Sequence, residues 1–170
     1  AGNIVFRWDK LQPLALALYR PLESAPNSLR LKLFRLGAPV ALSESLPMLE
    51  RKGMKVLDER PYRVAPQGGT PIWIHDLGMV SSIGEVEVDA RREVFEDAFA
   101  RVFRGDVEND EFNRLVVAAG LPAVEVAILR AYAKYLRQTG FALSQPFIEA
   151  TLAAQPGIAA QLVGLFKRRF

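Results

Sequence analysis

Two short apolar runs stand at the head of the readable pattern. Residues 14–19 are almost wholly apolar, and within 29–34 Leu29, Leu31 and Leu33 alternate with Arg30 and Lys32. Alternation with period two sends one set of side chains into a core and the other into water, as in a half-buried strand. Pro21, Ser24, Pro26 and Asn27 separate the runs, so the pair reads as an antiparallel hairpin with a turn-rich connection. After Gly37, Ala38 and Pro39 the pattern predicts a helix of about three turns. Ser43 is its expected cap, Leu46, Met48 and Leu49 its inward face, Pro47 a residue close to its first turn, and Gly53 its left-handed stop. Strands at 55–64 and 71–80 then flank Pro66, Gln67, Gly68, Gly69 and Thr70, a turn that the glycine pair eases. Ile72, Trp73, Ile74 and Leu77 make the second of these strands apolar on both faces, which predicts a central strand with cover on each side. In 86–104, Val94, Phe95, Ala98, Phe99, Val102 and Phe103 form a broad helical stripe that Gly105 ends.

The order strand, strand, helix, strand, strand, helix predicts an α+β fold. Its sheet is ferredoxin-like and four-stranded, antiparallel or mixed, with two helices over one face. Crossover rules place 71–80 beside 29–34 and parallel to it, with 14–19 on the free side of 29–34. From residue 108 onward every segment reads as helix: 109–119, 122–138, 144–154 and 157–169. Pro122 lies at a first turn, Ser144 caps with Pro146 at the second position, and Gly120, Gly140 and Gly157 punctuate. The connections are short, so these helices should pack as a bundle. The chain therefore divides into a sheet-and-helix unit over 1–106 and an all-α unit over 107–170.

Composition narrows the chemistry. Half of the 170 residues are hydrophobic and 24% are charged, a balance that supports a packed core. There is no cysteine and a single histidine, His75, which excludes disulfides, thiolate metal sites and multi-histidine sites, so no metal site is expected. The start, Ala1, Gly2, Asn3 and Ile4, has no initiator Met, basic n-region or apolar h-region. It reads as a cut or processed start with no signal peptide. No apolar run approaches the roughly 18 residues of a membrane span, and a cytoplasmic protein with no membrane partner is expected. The net charge of +3 hides a polarity along the chain. Acids outnumber bases over 85–111, whereas 112–170 has only Glu125 and Glu149 against Arg114, Arg130, Lys134, Arg137, Lys167, Arg168 and Arg169. Such a basic half calls for an acidic or phosphate partner, or is a solvated helix face.

Candidate site residues are few. His75 and Asp76 are neighbours on a strand and point to opposite faces, so they cannot pair with each other; His75 is expected on a wet or interface face. Gly68 and Gly69 lie between strands and not before a helix, which excludes a dinucleotide loop there. Arg130, Lys134 and Arg137 fall at i, i+4 and i+7 on one helix face, with Tyr132 and Tyr135 elsewhere around it. A basic stripe with aromatics is one way to bind nucleic acid. No groove-reading motif accompanies it, and the preferred reading is a salt-bridged interdomain face with no nucleic-acid partner. The loop of Arg35, Gly37 and Pro39 joins a strand to a helix, where backbone amides can approach a small anion such as an amino-acid effector. No catalytic and no cofactor-binding residues emerge.

The run from Asn109 to Gln138, with Asn109-Asp110-Glu111-Phe112-Asn113-Arg114-Leu115, the Gly120-Leu121-Pro122 break and Arg130-Ala131-Tyr132-Ala133-Lys134-Tyr135-Leu136-Arg137, resembles the large NAD-specific glutamate dehydrogenases of bacteria. The likeness extends collinearly to Leu29 through Phe34 with Gly37, Leu42-Ser43 with Leu46 through Glu50, Asp58 through Tyr62, Trp73 through Asp76, and the closing Leu165-Phe166 with Arg169-Phe170. The resemblance implies an ACT-type module followed by helices, ahead of a catalytic domain and without catalytic residues of its own. It further implies a parent enzyme that uses NAD to oxidise L-glutamate to 2-oxoglutarate and ammonia. The segment itself would be inactive and would serve regulation or assembly, against other domains of the same chain in a homo-oligomer. ACT modules often bind amino acids at the loop that Gly37 would occupy, which gives the alternative of an amino-acid sensor. The usual pattern there is Asp or Asn followed by Pro-Gly, and this chain has Arg35-Leu36-Gly37.

Overall fold

The computed structural model describes residues 14–170. Strands β1 (Leu14–Tyr19) and β2 (Ser28–Leu36) form the expected antiparallel hairpin, with Leu18 opposite Leu31 and Leu16 opposite Leu33. Helix α1 (Leu42–Glu50) leads into β3 (Met54–Val64), which returns through a seven-residue connection as β4 (Ile72–Ser81). Helix α2 (Val88–Arg104) completes the first unit. The strand order is β1-β2-β4-β3.

The neighbours 29–34 and 71–80 are adjacent as expected, but they run antiparallel. The reason is the hairpin. The α1 crossover sets β3 parallel to β2 with one strand's space between them, and β4 fills that space only by reversing out of β3. The sheet is therefore antiparallel throughout.

Leu29, Leu31 and Leu33 of β2, with Leu77 and Met79 of β4, are buried against Leu49 of α1 and Phe95 and Phe99 of α2. The register slips by one residue between Val56 and Asp58 of β3. This bulge lets the edge strand bend. The opposite sheet face is not the apolar mirror predicted for β4. It carries an ion-pair network in which Arg30 donates from Nε to Asp76 Oδ1 at 2.8 Å and from Nη2 to Asp58 Oδ1 at 3.1 Å, while Tyr19 Oη donates to Asp76. Burial alone would lower the Arg30 pKa, but the bonds to Asp76 and Asp58 outweigh it and hold the guanidinium firmly charged. Tyr19 is pushed up, first by burial and then by the Asp76 charge.

Gly78 makes that network possible. A Cβ built there would lie 2.1 Å from Asp58 Oδ2 and 2.9 Å from Arg30 Nη1, so only glycine lets the pair cross β4. Gly78→Ala is expected to separate Arg30 from Asp58 and destabilise the chain by about 1–3 kcal/mol. A urea unfolding midpoint unchanged from wild type would refute the crossing role.

Beyond Gly105, which ends α2 in the left-handed region at φ 78°, the second unit is helical. The expected helix over 109–119 is a 3-10 turn (Glu111–Asn113) running into α3 (Arg114–Ala118). It is followed by α4 (Ala123–Gln138), α5 (Gln145–Ala154) and α6 (Pro156–Arg169). Ser144 caps α5 as read from the sequence, its Oγ accepting from Phe147 N–H at 3.3 Å. Ser43 does not cap α1, which begins a residue earlier and has no side-chain cap bond. Gly157 lies inside α6 and does not precede it.

The two units share their cores. Val117 of α3 packs into the cluster of the sheet, and Ala98 of α2 packs among Phe112, Leu115, Val116 and Leu121. Arg51 pairs with Glu111, and Arg114 Nη2 donates to Ser82 Oγ at 2.8 Å. No helix among the described residues is long and apolar enough to cross a membrane.

Candidate functional site

The loop after β2 is the first candidate. Gly37 takes φ 87°, a conformation that disfavours any residue with a Cβ. Its N–H donates to Pro71 O at 2.8 Å, tying the loop to the start of β4. Arg35 is partly buried. Its Nη1 donates to Pro39 O at 3.1 Å, and its guanidinium lies 5.4 Å from the centre of the Phe103 ring. Gly37 and Pro39 are exposed. Val40 N–H, two residues ahead of α1, donates to His75 Nε2 at 3.1 Å and so ties the loop to β4.

That bond fixes the histidine. Nε2 accepts, so Nδ1 carries the proton and donates to Glu59 Oε1 at 2.6 Å. His75 is 6% exposed, where a wet or interface position was expected. His75 shares the helix-covered face of β4 with the buried Leu77 and Met79, and the bulge in β3 brings Glu59 onto that face, opposite Leu77. His75 and Asp76 do point to opposite faces. The chain Glu59, His75, Val40 thus ties the loop where the resemblance places an effector to β3 and β4.

The second candidate is the α4 face. Arg130 is only 5% exposed. Its Nε meets Asp110 Oδ2 at 2.5 Å and its Nη2 meets Asp110 Oδ1 at 2.8 Å, a two-pronged pair; Nη2 also lies 3.3 Å from Asn113 Oδ1. Arg130 therefore does not line a free interdomain face, since the acidic turn at 108–113 of its own unit folds over it. Lys134 pairs with Glu108, and this bond holds the Glu108 carboxyl below its ordinary pKa. Arg137 donates to Gln145 Oε1 at 3.1 Å and stays exposed. The basic stripe is largely neutralised within the chain, which leaves little charge for a phosphate backbone.

One buried group has no counterpart in the sequence reading. Lys52, just past α1, is fully buried; its Nζ lies 3.4 Å from Met48 O and 5.6 Å from the centre of the Phe99 ring. Burial pushes its pKa down to about 7. Placed between Arg51 and Gly53 at a helix end, it reads in sequence as an ordinary solvated charge, and no local signal distinguishes it.

Comparison with known proteins decides the family. Residues 13–91 match the pattern described as "Glutamate dehydrogenase, ACT3 domain", and residues 107–170 match "Glutamate dehydrogenase, helical motif 3". The chain belongs to the NAD-specific glutamate dehydrogenase family. It is 45% identical over 163 residues to the NAD-specific glutamate dehydrogenase of Halomonas elongata, covering 95% of this chain and 10% of that protein. Against the Pseudomonas aeruginosa enzyme the identity is 44% over 160 residues, with 94% and 10% covered. The Mycobacterium tuberculosis enzyme is 41% identical over 142 residues, with 79% and 9% covered. The chain spans about a tenth of the length of these relatives. In family terms, the Arg51 to Glu111 and Arg114 to Ser82 contacts join the ACT3 match to the helical-motif match.

Proposed function

We propose that this chain is a non-catalytic assembly segment of an NAD-dependent glutamate dehydrogenase. The full polypeptide would turn L-glutamate, NAD and water into 2-oxoglutarate, ammonia and NADH in the cytoplasm, with NAD bound elsewhere in it. The observation that carries the reading is the Val40 N–H bond to His75 Nε2. It ties the loop to β4 from within, which favours a module that holds a shape over one that reads a metabolite. The shared cores of the segments 14–106 and 107–170 support the same view, since Val117 and Ala98 make each segment part of the other's interior. Lys134 and Arg137, both still part-exposed, are the members of the predicted basic face that remain available to a neighbouring domain or subunit.

Pure chain mixed with L-glutamate and NAD is expected to give no NADH absorbance above a protein-free blank. Sustained NADH formation would place catalytic residues in this segment and contradict the proposal. The alternative, an amino-acid sensor, draws on the exposed Gly37 and Pro39 at the head of α1.

A further inference from the structure

Helices α4, α5 and α6 leave an apolar groove of about 410 Å³ between them. Ile128, Tyr132 and Leu136 of α4 line one wall at i, i+4 and i+8, which spans roughly 12 Å at the helical rise. Leu162, Leu165 and Arg169 of α6 line the other at i, i+3 and i+7. Leu162 and Leu165 are 44% and 64% exposed, so a large apolar surface meets solvent where helices of a bundle would normally bury it. Tyr132 and Phe166 meet edge to face at 6.0 Å, which gives the floor a fixed shape.

Arg169 is the charged side chain of the lining, and among the described residues neither it nor the adjacent Arg168 is paired with a carboxylate. Lys167, by contrast, is held by Glu125 at 2.7 Å. We propose that this groove is the docking site of an amphipathic helix whose apolar face is flanked by acidic residues. Its source is the part of the dehydrogenase polypeptide outside these residues, and on that point alone the inference rests on the assembly reading. Two faces of about two helical turns accept apolar side chains spaced i, i+3 or i+4, and i+7, and Arg169 selects for negative charge beside them. A second copy of this chain fits poorly. Apart from Leu42 of α1, its exposed large apolar helix residues lie on this same α4 to α6 segment, so self-docking would set Arg169 against like charge, and the apolar face of α2 is already buried through Phe95, Phe99 and Val102.

The test uses two synthetic helical peptides with one shared leucine face, one flanked by glutamate and one by lysine, titrated into the chain by fluorescence anisotropy. The glutamate peptide is expected to bind at least tenfold more tightly. Leu162→Glu should abolish that binding without changing the circular dichroism, and Arg169→Glu should reverse the preference. Equal affinity for the two peptides, binding of neither, or binding that survives Leu162→Glu would overturn the proposal. Self-association by analytical ultracentrifugation that Leu162→Glu removes would also overturn it, in favour of a second copy. Such failures leave the assembly reading intact, because that reading is judged on turnover and on the closed loop.

Discussion

Replacing Lys52 by methionine is expected to stabilise the chain by several kcal/mol near pH 6 and to leave it almost unchanged near pH 10. In the folded chain the ammonium is buried with no carboxylate paired to it among the described residues, and it is helped by the Met48 carbonyl at the end of α1 and the face of Phe99. Its pKa falls from an ordinary 10.5 to about 7. The unfolded chain therefore holds that proton more tightly than the native one does. Between those two values native Lys52 is neutral while unfolded Lys52 is still charged, so stability rises with pH across the window, by about 1.4 kcal/mol per unit. Below about pH 7 both states are charged and the whole penalty applies, on the order of 5 kcal/mol. Methionine keeps the length of the side chain and removes the charge, so the difference between the two proteins isolates this group from every other titration. Urea unfolding of wild type and Lys52→Met at a series of pH values measures it. Parallel stability curves, with no narrowing of the gap between pH 7 and 10, would show that Lys52 is not buried as a base.

Asp110→Ala should be the most damaging single change to the helical unit. Arg130 stays buried when its two-pronged partner is removed, and an uncompensated buried charge typically costs 3–5 kcal/mol. Glu108 Oε2, already 3.6 Å from Arg130 Nε, can move closer, so a loss of about 3 kcal/mol is expected, which for a chain of this size lowers the melting temperature by roughly 6–12 °C. The double variant Asp110→Ala, Arg130→Met removes the stranded charge as well and should recover much of the loss, because a buried pair replaced by apolar groups is often neutral. A single variant with unchanged melting temperature, or a double variant less stable than the single, would refute the buried-pair description. Arg130→Met alone should also destabilise, leaving Asp110 and Asn113 without their donor.

The elements written by local pattern were legible in the sequence. Leu29, Leu31 and Leu33 announced β2 by alternation, the Phe95 and Phe99 stripe announced α2, and Gly105 ended α2 where the left-handed region was needed, whereas α1 stops at Glu50 and Gly53 takes its φ of 79° in the turn beyond. The relations decided at a distance were not. The direction of β4 follows from a hairpin filling the gap that a crossover leaves, and adjacency alone suggests the wrong sense. Glu59 reaches His75 only because β3 bulges after Val56, and nothing in the alternation of 55–64 marks that slip. Arg130, Lys134 and Arg137 were placed on one helix face by spacing, and the acids of 108–111 stood in plain view as a negative block. The missing step was that the connection at 108–113 folds back over α4, which turns an expected outward face into an inward pair. Lys52 is the extreme case, a buried charge that meets Phe99, 47 positions away in sequence. The candidate loop of Arg35, Gly37 and Pro39 was located correctly as a junction of strand and helix, but its occupant, His75, comes from β4.

An assembly segment is expected to keep the loop at the head of α1 closed to ligands. Thermal unfolding of the pure chain in the presence of each common amino acid in turn tests this most directly. A ligand that binds only the native state, present at about 100 times its dissociation constant, adds roughly 2.7 kcal/mol of stability, a shift of several degrees for a chain of this size. With His75 already holding the Val40 N–H, the melting temperature is predicted to stay where it is in every case. A clear rise with one amino acid, abolished by a substitution at Gly37, would mean that the loop opens to a ligand and that the chain is a sensor.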